Sequence, residues 1–312
     1  MQGICIDTEN NKIIYATPVI RKKTLDKNFI NIDIKYRRLV KIFYQALEEN
    51  IDYDYLKAFF YNINNVKIKK DILTGAFYDI VKDGTCASYD VIKNKIILYC
   101  EELNNIDFYH ELLHLSSSIQ DHKNKIYYCG FSQDDKYSSV GTAINEGYTE
   151  YLCSDIFGID NDSYYEYEML IIKLLKMIIG KDNMQKLYFN ADLYNLINSL
   201  TNLNTIPRIK KFLYKTDYIL DKRNSTNNKT NEKVIKYMLD VNFFLIETYR
   251  NQLLKQYREE KISINELFYL YKQFIEIMNI LLDIDLPINK DILRLNIRDN
   301  DFIHMNKVKK LI

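Results

Sequence analysis

Residues 110–114 read His-Glu-Leu-Leu-His, two imidazoles four positions apart with a carboxylate beside the first. In a helix four residues turn the chain by about 400°, so His110 and His114 leave one face a single turn apart. That spacing lets each ring bring one nitrogen to a shared zinc ion. Glu111 is offset by about 100° from His110. There it can lie beside the metal without ligating it and act as the general base on a metal-activated water. The chain has only 4 histidines, so a chance pairing at this spacing is rare. Of the other two, His122 reads as a surface-loop residue, and His304 has no partner legible in the sequence.

A catalytic zinc site usually has three protein ligands, with water in the fourth position. Residues 144–151, Ile-Asn-Glu-Gly-Tyr-Thr-Glu-Tyr, offer carboxylates on a second helical stretch. A His-Glu-x-x-His helix followed by a helix bearing Asn-Glu-Gly resembles the gluzincin pattern of zinc metallopeptidases. The run from about 87 to 180, a third of the chain, is similar to uncharacterised bacterial metallopeptidase-like proteins. The short stretch Tyr109–Ser117 also resembles the active-site helix of clostridial-neurotoxin-type proteases. The gluzincin resemblance implies Glu146 as third ligand, one zinc ion per chain, Glu111 as general base and a peptide or protein as substrate. It also implies a tyrosine or histidine downstream of Glu146 to steady the oxyanion, for which Tyr165 and Tyr167 are the candidates. In such enzymes an edge strand beside the active-site helix can hold an extended peptide, which would put substrate docking on residues 95–100.

The residues themselves support the second helix as a partner of the first. Gly147 has no side chain to keep a neighbouring helix away. Glu150 is one turn beyond Glu146 on the same face, where it can accept a proton from the far nitrogen of a ligand histidine and fix its tautomer.

The elements that must position these groups follow from periodicity. Residues 1–20 read as extended, with a turn at Asn10-Asn11, and 35–62 has helical spacing. Residues 87–100 read as a hairpin, 106–120 as the motif helix, and 121–140 as a loop with a short hairpin at 125–132. Helices are expected at about 142–157, 164–179 (ending at Gly180), 182–189, 191–201, 207–220, 232–258 and 263–283. The polar run 221–231 reads as a linker or mobile loop. The fold class is therefore α+β and predominantly helical. A zincin-like catalytic domain is expected at 1–200, with a small hairpin or sheet, followed by a helical C-terminal region at 201–312.

Composition bounds the rest. With 43 Lys+Arg against 42 Asp+Glu, no excess of charge points to a nucleic-acid or membrane-surface partner. No stretch approaches 18 consecutive apolar residues, so no membrane span is expected. The N-terminus has neither the basic nor the apolar region of a signal peptide. The 5 scattered cysteines lack a Cys-x-x-Cys pair and read as thiols in a reducing compartment, which suggests a cytoplasmic protein. A zinc-bearing binding or structural protein without hydrolytic activity is the alternative that this sequence leaves open.

Overall fold

The computed structural model describes residues 4–7, 12–15, 32–74, 86–100, 105–135, 138–158 and 165–282. His304 lies outside them. The expected extended N-terminal pair is present as β1 (Ile4–Asp7) and β2 (Lys12–Tyr15), antiparallel with Ile4 opposite Tyr15.

The predicted helix at 35–62 is broken in two. Helix α1 (Ile34–Asn50) stops where Ile51 becomes extended. Asp52 then caps a single 3-10 turn at Tyr53–Tyr55 by accepting from the Asp54 N–H at 3.0 Å. Helix α2 (Lys57–Ile63) follows. A short polar side chain that hydrogen-bonds its own backbone offers an alternative to continued helix, which overrides the apolar periodicity. The apolar faces of these helices still serve one core. Phe43, Tyr44, Phe59 and Phe60 interleave, with Tyr44 and Phe59 stacked at 5.7 Å between centroids.

Next comes a strand that apolar alternation gave no reason to expect. β3 (Lys67–Lys70) pairs in parallel with β5 (Lys95–Leu98), and β4 (Ala87–Asp90) pairs antiparallel on β5's other side. The sheet order is β3-β5-β4. Cys86 and Cys100, which flank the β4–β5 hairpin, form a disulfide. All five cysteines are expected from the sequence to be thiols, and for these two the structure corrects that. Antiparallel pairing in the expected 87–100 hairpin brings its two ends together, a proximity that the reading of five scattered cysteines as thiols does not use.

Helix α3 (Asn105–Ser116) carries the His-Glu-Leu-Leu-His motif. It ends four residues earlier than expected, because Ser117 Oγ donates to Leu113 O at 3.1 Å and Ser118 Oγ to His114 O at 2.6 Å, occupying the last helical carbonyls. The stretch expected as a loop with a short hairpin at 125–132 is a four-stranded antiparallel meander of β6 (Ser118–Asp121), β7 (Ile126–Cys129), β8 (Ser132–Asp134) and β9 (Ser139–Val140), in which β7 and β8 form a hairpin overlapping the expected one. Strands β6, β8 and β9 are short and mostly polar, so composition hides them. His122 is exposed in the turn between β6 and β7.

Seven helices complete the described chain: α4 (Thr142–Phe157), α5 (Glu166–Ile179), α6 (Lys181–Phe189), α7 (Leu193–Thr201), α8 (Ile206–Lys222), α9 (Asn228–Arg258) and α10 (Ile264–Leu282). The expected linker at 221–231 shrinks to residues 223–227. Asn227 Oδ1 accepts from the N–H groups of Lys229 and Thr230, at 3.0 and 3.3 Å, and so starts α9 early.

The chain is α+β and predominantly helical. It divides into two compact units, Met1–Thr248 and Tyr249–Ile312. The boundary drawn from sequence at residue 200 lies inside the first. Within the second unit, Tyr249 of α9 stacks on Phe274 of α10 at 4.2 Å. No helix among the described residues is long and apolar enough to cross a membrane.

Candidate metal centre

Helix α3 is buried along nearly its whole length. Phe108, Leu112, Leu113 and Leu115 are closed off from solvent. Phe108 packs on Tyr36 of α1 at 5.7 Å and Tyr109 on Phe43 at 5.8 Å. Such a rigid seat fixes where the polar residues of the same helix point. His110, Glu111 and His114 are among the few buried polar groups, each less than a tenth exposed.

Helix α4 is anchored at its N-terminus and from behind. Its N-terminus begins at Gly141 in the left-handed region, φ 84°. Asp217 of α8 accepts from the Gly141 N–H at 2.8 Å and the Ala143 N–H at 2.9 Å, satisfying donors that no intrahelical carbonyl can reach. Gly147 does permit a close helix approach, but the neighbour is α5 rather than the motif helix. A Cβ at Gly147 would lie 2.6 Å from the Glu168 carbonyl carbon and oxygen. This packing holds Glu146 toward α3.

The three expected donors meet. His110 Nε2 and His114 Nε2 are 3.0 Å apart, and Glu146 Oε2 lies 3.1 Å from the first and 3.3 Å from the second. His110, His114 and Glu146 can together hold a metal ion. The donor set and its spacing fit zinc. Tetrahedral donors about 2.0–2.1 Å from one zinc ion are separated from each other by about 3.3–3.4 Å, close to the observed triangle. Two imidazole nitrogens and a carboxylate oxygen crowded this closely are made favourable by a cation or a proton between them.

Glu150 lies behind His110, with Oε2 3.0 Å from Nδ1. That contact leaves Nε2 as the ring's free lone pair. Burial alone would raise the Glu146 carboxyl, but the charge of His114 and the hydrogen bonds from both imidazoles hold it well below the usual carboxylate range. Glu111 behaves oppositely. Burial pushes its carboxyl up against the pull of His114 and His110. Burial works against protonated imidazole, yet both rings are raised well above the ordinary histidine value. For His110 the opposing causes are hydrogen bonds to Cys153, Glu146 and Glu150, and for His114 the leading one is the Glu146 charge.

The two tyrosines part company. Tyr165, at the start of α5, stacks on the His110 ring with centroids 5.7 Å apart and planes 16° from parallel. Tyr167 is not brought to the cluster. Its hydroxyl turns to α9, donating toward Met238 O at 3.4 Å and Asn242 Oδ1 at 3.3 Å.

Residues 95–100 do not offer a free strand edge. β5 is the middle strand, paired on one side with β3 and on the other with β4. The strand lying along α3 is β4. Because Tyr99 N–H bonds Cys86 O, the alternation of an antiparallel ladder turns the backbone groups of Ala87 and Tyr89 away from β5. The Tyr89 N–H there hydrogen-bonds Glu111.

Several residues around the cluster escaped the sequence reading. Asn145, Cys129 and Thr149 surround His114 Nδ1 at 3.2, 3.5 and 3.5 Å. Arg223, just past α8, stands over the Tyr165 ring at 5.8 Å and pairs with the buried Glu168 at 2.6 Å. Asn145 and Thr149 share the helix of Glu146, one position before and three after it, and could have been read from it. Cys129 and Arg223 come from distant segments and left no local signal.

Comparison with protein-family models, curated proteins and solved structures returned no match.

Proposed function

We infer that this chain is a zinc-dependent peptidase of gluzincin type. The observation that carries the reading is the convergence of His110 Nε2, His114 Nε2 and Glu146 Oε2 within 3.0–3.3 Å of one another, with Glu111 buried on the same helix. A zinc ion held there supplies Lewis acidity, polarising a carbonyl and making water nucleophilic near neutral pH. Glu111, its carboxyl raised by burial, accepts the proton given up by the attacking water and delivers it to the departing amine. Glu150 keeps His110 in the ligating tautomer. Tyr165, stacked on His110, is the nearer of the two candidate tyrosines and is the one assigned to the developing oxyanion. The Tyr89 N–H is taken by Glu111, but the outward N–H and C=O of Ala87 and the Tyr89 C=O give an extended peptide a short edge to pair with, so β4 takes the docking role first assigned to residues 95–100.

The test is cleavage of a mixed peptide library by the full-length chain before chelation, after chelation and after zinc is restored, alongside Glu111→Gln. The reading expects activity that disappears with chelation, returns with zinc and is absent from Glu111→Gln despite retained metal. Metal binding without cleavage of any peptide would leave a zinc-bearing binding protein instead.

A further inference from the structure

His114 must carry its proton on Nδ1 if Nε2 is to face a metal, so some group has to accept that N–H. Three polar atoms surround Nδ1, and two of them can be set aside. Asn145 Oδ1 accepts from the Phe131 N–H at 3.1 Å, which turns the amide nitrogen, a donor, toward His114. Thr149 Oγ1 donates to Asn145 O at 2.8 Å and so accepts from the Tyr188 hydroxyl at 2.7 Å. Its 3.5 Å separation from Nδ1 is long for N–H···O, which runs about 2.7–3.2 Å.

Cys129 Sγ is also 3.5 Å from Nδ1, but sulfur is the larger atom and that distance is ordinary contact for it. The same sulfur lies 3.5 Å from the His114 carbonyl oxygen, where the thiol hydrogen can go. With its hydrogen directed there, a lone pair is left to face Nδ1–H, sulfur being a weak but usable acceptor. The thiol is buried and unpaired with any other cysteine. Its place is fixed by β7, where Cys129 pairs with Ser118 on one side and Ser132 on the other. Gly130, at φ 53°, follows it in the turn, where any Cβ would meet Asn145 Oδ1 at 2.2 Å.

We propose that Cys129 is the positioning residue of His114, accepting its Nδ1–H as Glu150 accepts that of His110. The centre would then have one carboxylate and one thiol behind its two imidazoles. The proposal rests on the metal-binding reading of His110, His114 and Glu146, and is independent of peptide hydrolysis.

The experiment is a zinc titration of the full-length chain against a chromophoric chelator, for the parental protein, Cys129→Ala and Cys129→Ser. It is read together with long-range proton–nitrogen spectra of the imidazoles in the zinc-loaded proteins. Removing such a partner weakens metal binding about ten- to hundredfold, which is expected for Cys129→Ala. Cys129→Ser keeps an acceptor and is expected to stay within about threefold of the parent. The spectra should show His114 as the Nδ1–H tautomer in the parent and Cys129→Ser, with that resonance broadened or shifted in Cys129→Ala. If the parent binds zinc and Cys129→Ala binds it equally well, Cys129 has no such role. Equal losses in the Ala and Ser variants, with unchanged imidazole spectra, would make it a packing residue only and overturn the proposal. If the parent binds no zinc, the metal centre itself fails and this role goes with it.

Discussion

Replacing Gly147 by alanine sets two known effects against each other. In an exposed helix interior the change would stabilise by about 1 kcal/mol, because alanine is the better helix former. Here the added Cβ would sit 2.6 Å from the Glu168 carbonyl carbon and oxygen and 2.8 Å from its Cβ. Ordinary contact begins near 3.4 Å, so α4 and α5 would have to separate by several tenths of an ångström. Two of the three blocking atoms are backbone and cannot rotate aside. Overpacking of this kind costs about 1–3 kcal/mol, and the rigid backbone puts this site toward the upper end. Subtracting the propensity gain leaves a net loss of about 2 kcal/mol. For a unit of this size that is a fall in Tm of roughly 4–8 °C. Glu146 is the adjacent residue, so a shift of α4 also displaces its carboxylate and weakens zinc binding. Thermal unfolding of the zinc-free protein measures the first effect, and zinc titration of the same sample the second. A Gly147→Ala protein with an unchanged or higher Tm and parental zinc affinity would refute the argument that this close contact holds Glu146 in place.

The other supports of the site give simpler expectations. Asp217→Ala leaves the Gly141 and Ala143 N–H groups without their acceptor and should cost about 0.5–2 kcal/mol, as for loss of a helix N-cap, read from denaturant unfolding at constant m. Glu150→Ala removes the partner of His110 Nδ1 and should weaken zinc binding about ten- to hundredfold with little change in the stability of the zinc-free protein. An unchanged zinc affinity would remove Glu150 from the centre.

The two histidines were legible from local spacing, whereas Glu146 as their partner came from the resemblance to the gluzincin pattern. One helical turn separates His110 from His114, and another separates Glu146 from Glu150. Sequence pattern also found the long apolar helices α5, α8 and α10, whose periodicity runs for several turns. It failed where distant segments decide the outcome. β3, with three lysines in four residues, becomes a strand through its parallel pairing with β5. Asp217 caps a helix whose first residue is 75 positions earlier in the numbering (217 − 142). Strands β6, β8 and β9 were hidden by their polar residues, and the disulfide by reading the scattered cysteines as thiols although Cys86 and Cys100 flank the expected hairpin. Tyr165 and Tyr167 could not be separated by type or position, because only the path of α9 decides that the Tyr167 hydroxyl turns away from the cluster.

The central claim is that two imidazoles and one carboxylate from α3 and α4 hold a single zinc ion. Metal analysis of the purified full-length protein, set beside His114→Ala, tests it most directly. The account predicts one zinc per parental chain and none retained by the variant after gel filtration, with both proteins folded. A parental chain that carries no zinc when supplied with it, or a His114→Ala chain that keeps a full equivalent, would contradict it.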